Sequence, residues 1–233
     1  MIADSADYHR LELSVARDRA DPRRVMPPVT LGHRQILDVG CGAGQTLIAS
    51  NLPPGVLAVG VDIDQGALVQ GRQVGADIRF VRARGESLPF ENECFDLVIC
   101  RVALPYMHLS RSLSEMARVL RPGGDLWLVL HPLSVSMEGL GTNILRFRFK
   151  AVLYRLWVII NGVILHLFGK QWSWPPLKPT SYETWQTKGA AKRALLAAGF
   201  DQILISQKRH FVVTAVKASA VEACFAAVAS GIS

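Results

Sequence analysis

The chain has 233 residues, of which 50% are hydrophobic and 19% charged, with a formal net charge of +7. That length suits one α/β domain, and no internal repeat is visible, which excludes a solenoid or propeller. Four cysteines (Cys41, Cys94, Cys100, Cys224) show no metal-ligand or redox spacing, so they read as free thiols in a reducing compartment.

A mean hydropathy of +0.23 fills a core easily and leaves apolar surface for a ligand or a membrane. The first ten residues carry Asp4, Asp7, His9 and Arg10 rather than an apolar stretch, so no signal peptide is expected and the cytoplasm is the default location.

In chain order, residues 5–25 read as a helix, stopped by Pro27-Pro28. Apolar strand-like runs follow at 36–39, 57–61, 78–82, 97–100 and 126–130. Helix-like stretches at 45–50, 65–74 and 111–120 separate most of them. Strands alternating with helices mean βαβ units, a parallel sheet and right-handed crossovers. The run Arg121-Pro122-Gly123-Gly124-Asp125 reads as a helix stop and tight turn that delivers the fifth strand. A helix over 187–198, ending at Gly199, precedes runs at 202–207 and 210–217, which pair as an antiparallel hairpin finishing the sheet. Residues 218–233, rich in Ala and Ser, form a tail.

The segment 133–180 stands outside this alternation. It carries Arg146, Arg148, Lys150 and Arg155, then an uncharged run at 156–169, then Trp172 and Trp174 before Pro175-Pro176. The uncharged run is shorter than the roughly 20 residues of a membrane-spanning helix. Two readings stay open: a helical lid packed on the sheet or on a second subunit, and peripheral membrane contact through 144–174.

The first strand runs into three glycines at alternate positions, Gly40, Gly42 and Gly44, and then into a helix. Such a turn lets the backbone approach a ligand and leaves N–H groups at a helix N-terminus for a carboxylate or phosphate. The dinucleotide fingerprint requires Gly or Ala where this chain has Gln45, and the Gly-Lys-Ser/Thr of a phosphate-binding P-loop is missing. Instead Asp38 stands before the first glycine, where an acid repels a pyrophosphate and attracts a cation. Asp62 ends the second strand, placed to accept two ribose hydroxyls, with Asp64 close behind. The implied ligand has a ribose, a positive group and no phosphate, and S-adenosylmethionine fits: ammonium to Asp38, carboxylate to the helix N-terminus, ribose to Asp62.

The strings ILDVGCGAG, VGVDID, GESLPFENECFDLVICRVALPYM and EMARVLRPGGDLWLV occur in that order. Through them the chain resembles the class I S-adenosylmethionine-dependent methyltransferases, nearest the small-molecule branch that includes the quinone-biosynthesis enzymes. The resemblance is strong over residues 30–132 and looser over 180–217. It implies one doubly wound, Rossmann-like α/β domain. The sheet has seven strands, mostly parallel with an antiparallel C-terminal hairpin. Residues 1–30 form an N-terminal helical cap, 133–180 a helical insert after the fifth strand, and 218–233 a tail. It places Gly40, Cys41, Gly42, Gly44, Asp62, Ile63, Gly85, Glu86 and Arg101 beside Asp38 as cofactor-binding positions.

One position departs from the family pattern. Relatives usually carry Asp where this chain has Arg84, accepting a hydrogen bond from the adenine amino group. Arginine offers only donors. Gly85 can still present its N–H, and Glu86 can supply the acceptor. At the fourth strand's end Cys100 reads as a small buried residue rather than a nucleophile. Pro105-Tyr106 replaces a histidine pair common in relatives. His131, ending the fifth strand before Pro132, is the candidate base, against a purely structural histidine in the loop. Tyr8, His9, Tyr106, His108 and Glu138 are weaker candidates. The expected acceptor is an apolar or lipid-like small molecule methylated on O or C. RNA methylation, suggested by basic clusters at 17–24 and 146–155, and non-catalytic cofactor binding are the alternatives. No metal, no nucleic-acid partner and no particular oligomeric state are expected.

Overall fold

The computed structural model describes residues 5–75, 77–130, 149–172 and 182–219. His131 and Glu138 lie outside the described residues, as do 133–148, 173–181 and the tail from 220.

Helix α1 (Ser5–Arg17) precedes the sheet. Strand β1 (Gln35–Val39) leads into α2 (Gln45–Ala49), β2 (Leu57–Asp62), α3 (Gln65–Val74) and β3 (Ile78–Arg82). Strand β4 (Phe95–Arg101), α4 (Leu109–Val119) and β5 (Leu120–Leu130) follow. Then come α5 (Phe149–Phe168), α6 (Lys188–Ala197), β6 (Phe200–Ser206) and β7 (Phe211–Lys217). The seven strands run in the order β3-β2-β1-β4-β5-β7-β6. The first five are mutually parallel, and β7 is antiparallel to both β5 and β6. The order reverses between β1 and β4, which opens a crevice at the carboxyl ends of those strands.

The central strands are apolar almost throughout because both sheet faces are covered. In β1, Ile36 and Leu37 are fully buried on opposite faces. Leu37 joins the larger cluster with Leu113 and Met116 of α4 and Leu195 of α6, and Ile36 joins a second with Leu47 of α2 and Trp127 of β5.

Three local features differ from expectation, each for a visible reason. Helix α1 stops at Arg17 rather than near residue 25. There Asp18 accepts from the Ala20 N–H at 2.9 Å and Asp21 from the Arg23 N–H at 2.7 Å, so side chains take over the backbone donors. The Arg121–Asp125 run is not a turn ahead of β5 but a bulge within it: Phe95 pairs with Leu120, and the next pair is Leu97 with Asp125. Asp96, opposite the bulge, pairs with Arg121 and accepts the Arg34 and Gln35 N–H groups, tying β1, β4 and β5 together. A single 3-10 turn at Leu104–Tyr106, carrying Pro105, was not expected and forms one wall of the crevice.

Helix α5 is fixed to the body on one side only. The Trp185 indole N–H donates to the Ile159 carbonyl at 3.1 Å and lies over Gly162, where an added Cβ would fall 2.2 Å from Nε1. Asn161 accepts the Trp172 N–H at 2.9 Å and donates to the Glu183 carbonyl at 3.3 Å. Gly162→Val therefore overpacks this contact. We expect a loss of about 1–3 kcal/mol, read as a lower thermal midpoint with altered Trp near-UV dichroism. An unchanged midpoint would mean that Trp185 does not seat on Gly162.

Candidate cofactor and acceptor site

The carboxyl ends of β1, β2 and β4 bring Asp38, Asp62 and Arg101 to one crevice, with the glycine loop between them. The loop is pinned inward. The Gly40 and Cys41 N–H groups both donate to the Val61 carbonyl, at 2.7 and 3.0 Å, and the Gly42 N–H donates to Asp62 Oδ2 at 2.8 Å. These loop amides are thus spent on β2. Gln45 and Thr46, at the start of α2, form the neighbouring part of the cavity wall.

Two of the glycines are required by close neighbours as well as by positive φ. A Cβ on Gly40 (φ +74°) would stand 2.2 Å from the Ala103 Cβ, and one on Gly42 (φ +56°) 2.9 Å from the His9 ring. The loop is therefore clamped between α1 on one side and the turn after β4 on the other.

Two adjoining cavities share Gly40, Asp62, Ala103 and Tyr106. The smaller, of 190 Å³, is bordered by Ile63, Ala83, Gly85 and Met107, a slot with apolar walls. The larger, of 760 Å³, is lined by the glycine loop, by Tyr8 and Glu12, and by the apolar side chains of Val25, Val102 and Val129. Val102 has φ +67°, a region costly for a β-branched residue. Its N–H is anchored to the Val129 carbonyl at 3.0 Å, which holds the strained turn on the cavity wall.

Asp38 is 1% exposed, and neither carboxylate oxygen has a hydrogen-bond partner. Burial pushes its pKa up to about 7, the Arg101 charge opposes this, and Asp62 adds to it. A buried, unpartnered carboxylate is costly unless a cation or donor completes it. Asp38 itself lines neither cavity, whereas Arg101 and the loop residues Gly40, Cys41 and Gly42 line the larger one. Arg101 is held by Glu12 at 2.9 Å and by the Thr46 hydroxyl at 3.1 Å. Asp62 lines both cavities; its Oδ1 accepts the Asp64 N–H at 2.9 Å, and each oxygen keeps a lone pair for a further donor.

In the slot, Glu86 accepts the His108 N–H at 3.0 Å and meets Arg84 Nε at 3.4 Å, with an acceptor site still open on the carboxylate. Gly85 lies under Met107, whose Sδ would be 2.5 Å from an added Cβ. Gly44 packs on Phe80. Cys41 and Cys100 are buried, and burial pushes both thiols up, so neither supplies a thiolate. His108 caps α4 instead of facing the crevice.

Sequence reasoning passed over Glu12, Gln45, Thr46, Arg209 and His210, all of which line the larger cavity. Glu12 was detectable only as a polar residue on a helix that happens to fold back over the loop. His210 sits beside the β6–β7 hairpin, far along the chain from any motif, and its Nε2 is buried without a partner. Tyr8 and Tyr106 are raised in pKa by burial, Tyr106 to about 12, so both present protonated hydroxyls at neutral pH.

A family model described as a methyltransferase domain matches residues 37–128. Demethylmenaquinone methyltransferase of Deinococcus radiodurans is 34% identical over 169 residues, 69% of this chain and 69% of that protein. The chain belongs to the class I S-adenosylmethionine-dependent methyltransferases. The family's cofactor fits the residues present: an orphaned buried acid for a cation, a free pair of lone pairs at Asp62 for a diol, and an apolar slot for a flat ring. A phthiotriol/phenolphthiotriol dimycocerosates methyltransferase of Mycobacterium leprae is 39% identical over 108 residues, 44% of this chain. The chain matches only 40% of the length of that mycobacterial relative. A methyltransferase structure from Methanosarcina mazei shares the fold, with a TM-score of 0.53 at 21% identity, covering 79% of this chain and 92% of that one.

The unpartnered Asp38 makes cofactor binding depend on pH with a definite sign. Below about pH 7 the free protein holds a proton there that an ammonium bound near Asp38 would displace, so affinity is expected to fall by about tenfold per pH unit toward pH 5.5. Asp38→Asn abolishes that slope and weakens binding roughly 10- to 100-fold. Its stability moves the other way. A carboxyl whose folded pKa is raised destabilises the fold increasingly as pH climbs from about 4 to 7, so the Asn variant melts higher than the parent at pH 8 and alike at pH 4. Calorimetric titration and melting curves across that range check both; a pH-independent affinity would remove Asp38 from the site.

Proposed function

We propose that the chain transfers a methyl group from S-adenosylmethionine to O or C of an apolar, lipid-like small molecule, working in the cytoplasm and in peripheral contact with a membrane. The observation that carries this reading is the larger cavity. Its lining includes Gly40, Gly42 and Asp62 and also Val25, Val102 and Val129, so one volume offers polar groups for a cofactor and apolar wall for an acceptor. Its size is that of a site for a medium-sized organic molecule. The relatives from Deinococcus radiodurans and Mycobacterium leprae are named for quinone and lipid-like acceptors, which supports the same class.

Bound, the cofactor supplies a sulfonium-activated methyl group whose bonding electrons return to sulfur as the acceptor attacks. The chain's own part is to align and to exclude water. Asp62 would hold the ribose end, and the charge of buried Asp38 would favour the ammonium end. Gly85 and Glu86 face the adenine slot, with Ile63 on its wall. Helix α1, locked down by the Glu12–Arg101 pair and the 2.8 Å contact between the Gln45 amide and His9, closes the loop side. Tyr8 and Tyr106, protonated at neutral pH, line the larger cavity. His131 remains the base proposed from sequence, and His9 and His210 set imidazoles on the wall of the larger cavity.

Incubating the chain with methyl-labelled cofactor and an organic-solvent extract of bacterial membranes is expected to label an extractable small molecule. Asp62→Ala is expected to reduce the rate by about 10- to 100-fold, the worth of hydrogen bonds to a charged group. Label confined to RNA, or no label at all with cofactor bound, would contradict the proposal.

A further inference from the structure

Helix α5 carries one exposed, wholly apolar seam. Phe149, Leu153, Leu156, Ile160, Val163 and Leu167 follow one another at steps of four, three, four, three and four, and each is 41–74% exposed. Such spacing keeps a stripe on one side of a helix. The helix is 20 residues long, apolar enough to cross a bilayer, and yet only 22% of its most apolar window is buried. Among the described residues nothing covers the seam.

Spanning is excluded by the opposite face. That face holds Asn161 with its hydrogen bonds to Trp172 and Glu183, the Trp185 indole on Ile159, and Glu183 receiving Arg155 at 3.0 Å and the Tyr154 hydroxyl. Pulling these into hydrocarbon would strand a charge and several polar groups. The helix can only lie with its seam outward.

A second copy of the chain is a poor occupant on charge grounds. Residues 149–172 contain no acidic residue, while exposed Lys150 and Lys170 mark the two ends of the seam. Pairing two seams, parallel or antiparallel, sets lysine against lysine at both ends with no carboxylate between. A surface carrying negative charge and accepting apolar side chains meets both needs. Exposed Phe168 and Trp172 add aromatic side chains at the C-terminal end, where rings favour a headgroup boundary.

We infer that α5 lies flat on an anionic lipid bilayer, its 149–167 seam in the acyl boundary and Lys150 and Lys170 at the headgroups. This rests on the reading that the acceptor is lipid-like, and it locates the route by which such a molecule arrives. The segment after α5 is fastened to the crevice: Gln171 accepts the Leu109 N–H at 2.6 Å and donates to the Met107 carbonyl at 3.3 Å, and the Thr184 N–H donates to the Pro105 carbonyl at 3.0 Å. Docking α5 therefore fixes the Leu104–Tyr106 turn, which walls both cavities, relative to the membrane surface.

The test is sedimentation of the full chain with vesicles of phosphatidylcholine and of an equimolar phosphatidylcholine–phosphatidylglycerol mixture. Affinity for the anionic vesicles is expected to be about tenfold higher and to fall with salt. The exposed pair Leu153→Glu with Ile160→Glu is expected to weaken it on the order of a hundredfold. Binding of S-adenosylhomocysteine by that variant stays unchanged, which certifies its fold. Equal vesicle binding by parent and variant would overturn the inference. So would a parent that sediments as a dimer and a variant that sediments as a monomer, since the seam would then join two copies. Because no acceptor is used, failure here leaves the methyl-transfer proposal standing. Vesicle binding without methyl transfer to any lipid would remove that proposal alone.

Discussion

A carboxylate with no partner and almost no exposure, Asp38, sets the terms for this molecule. The fold does not satisfy it, because the donors of the neighbouring loop and strand end are committed elsewhere: Gly40 and Cys41 turn their amides to Val61, Gly42 gives its amide to Asp62, and Arg101 is taken by Glu12 and Thr46. A desolvated acid left in this state costs stability at neutral pH. Such a cost is typical of positions kept for a ligand rather than for packing.

The walls around that acid come from distant parts of the chain. Helix α1 contributes Tyr8, His9 and Glu12; the strained turn after β4 contributes Val102 and Tyr106; the β6–β7 hairpin contributes Arg209 and His210. The parallel sheet makes this possible, because the switch between β1 and β4 leaves a gap that neither neighbouring helix fills. Helix α5 lines neither cavity, yet its C-terminal continuation grips the Met107–Leu109 segment. Apolar surface on α5 and the crevice are thus mechanically joined through two hydrogen-bonded turns.

Much of this was readable from residues alone, and the reasons are local. The alternation of apolar runs with amphipathic stretches gave seven strands in the right places, since strands buried on both faces leave unbroken apolar runs such as 97–100. Gly40 and Asp62 stood out because backbone approach and strand-end carboxylates have few chemical substitutes. What escaped was mostly non-local. The exception is the early end of α1, where Asp18 and Asp21 outcompete helical hydrogen bonds two residues along the chain. The bulge in β5 depends on Asp96 across the sheet, and the cavity role of Glu12 and His210 depends on tertiary packing that no periodicity encodes. The apolar character of 156–169 was plain, but its one-sided exposure became visible only once Trp185 and Asn161 were seen to occupy the other face.

On this reading the crevice between β1, β2 and β4 holds a nucleoside carrying an amino-acid end. Calorimetric titration of the full chain with S-adenosylhomocysteine, beside Asp62→Ala, tests this most directly. We expect one molecule bound per chain by the parent and binding weakened at least about tenfold in the variant. No heat of binding in the parent, or equal affinity in both proteins, would contradict it.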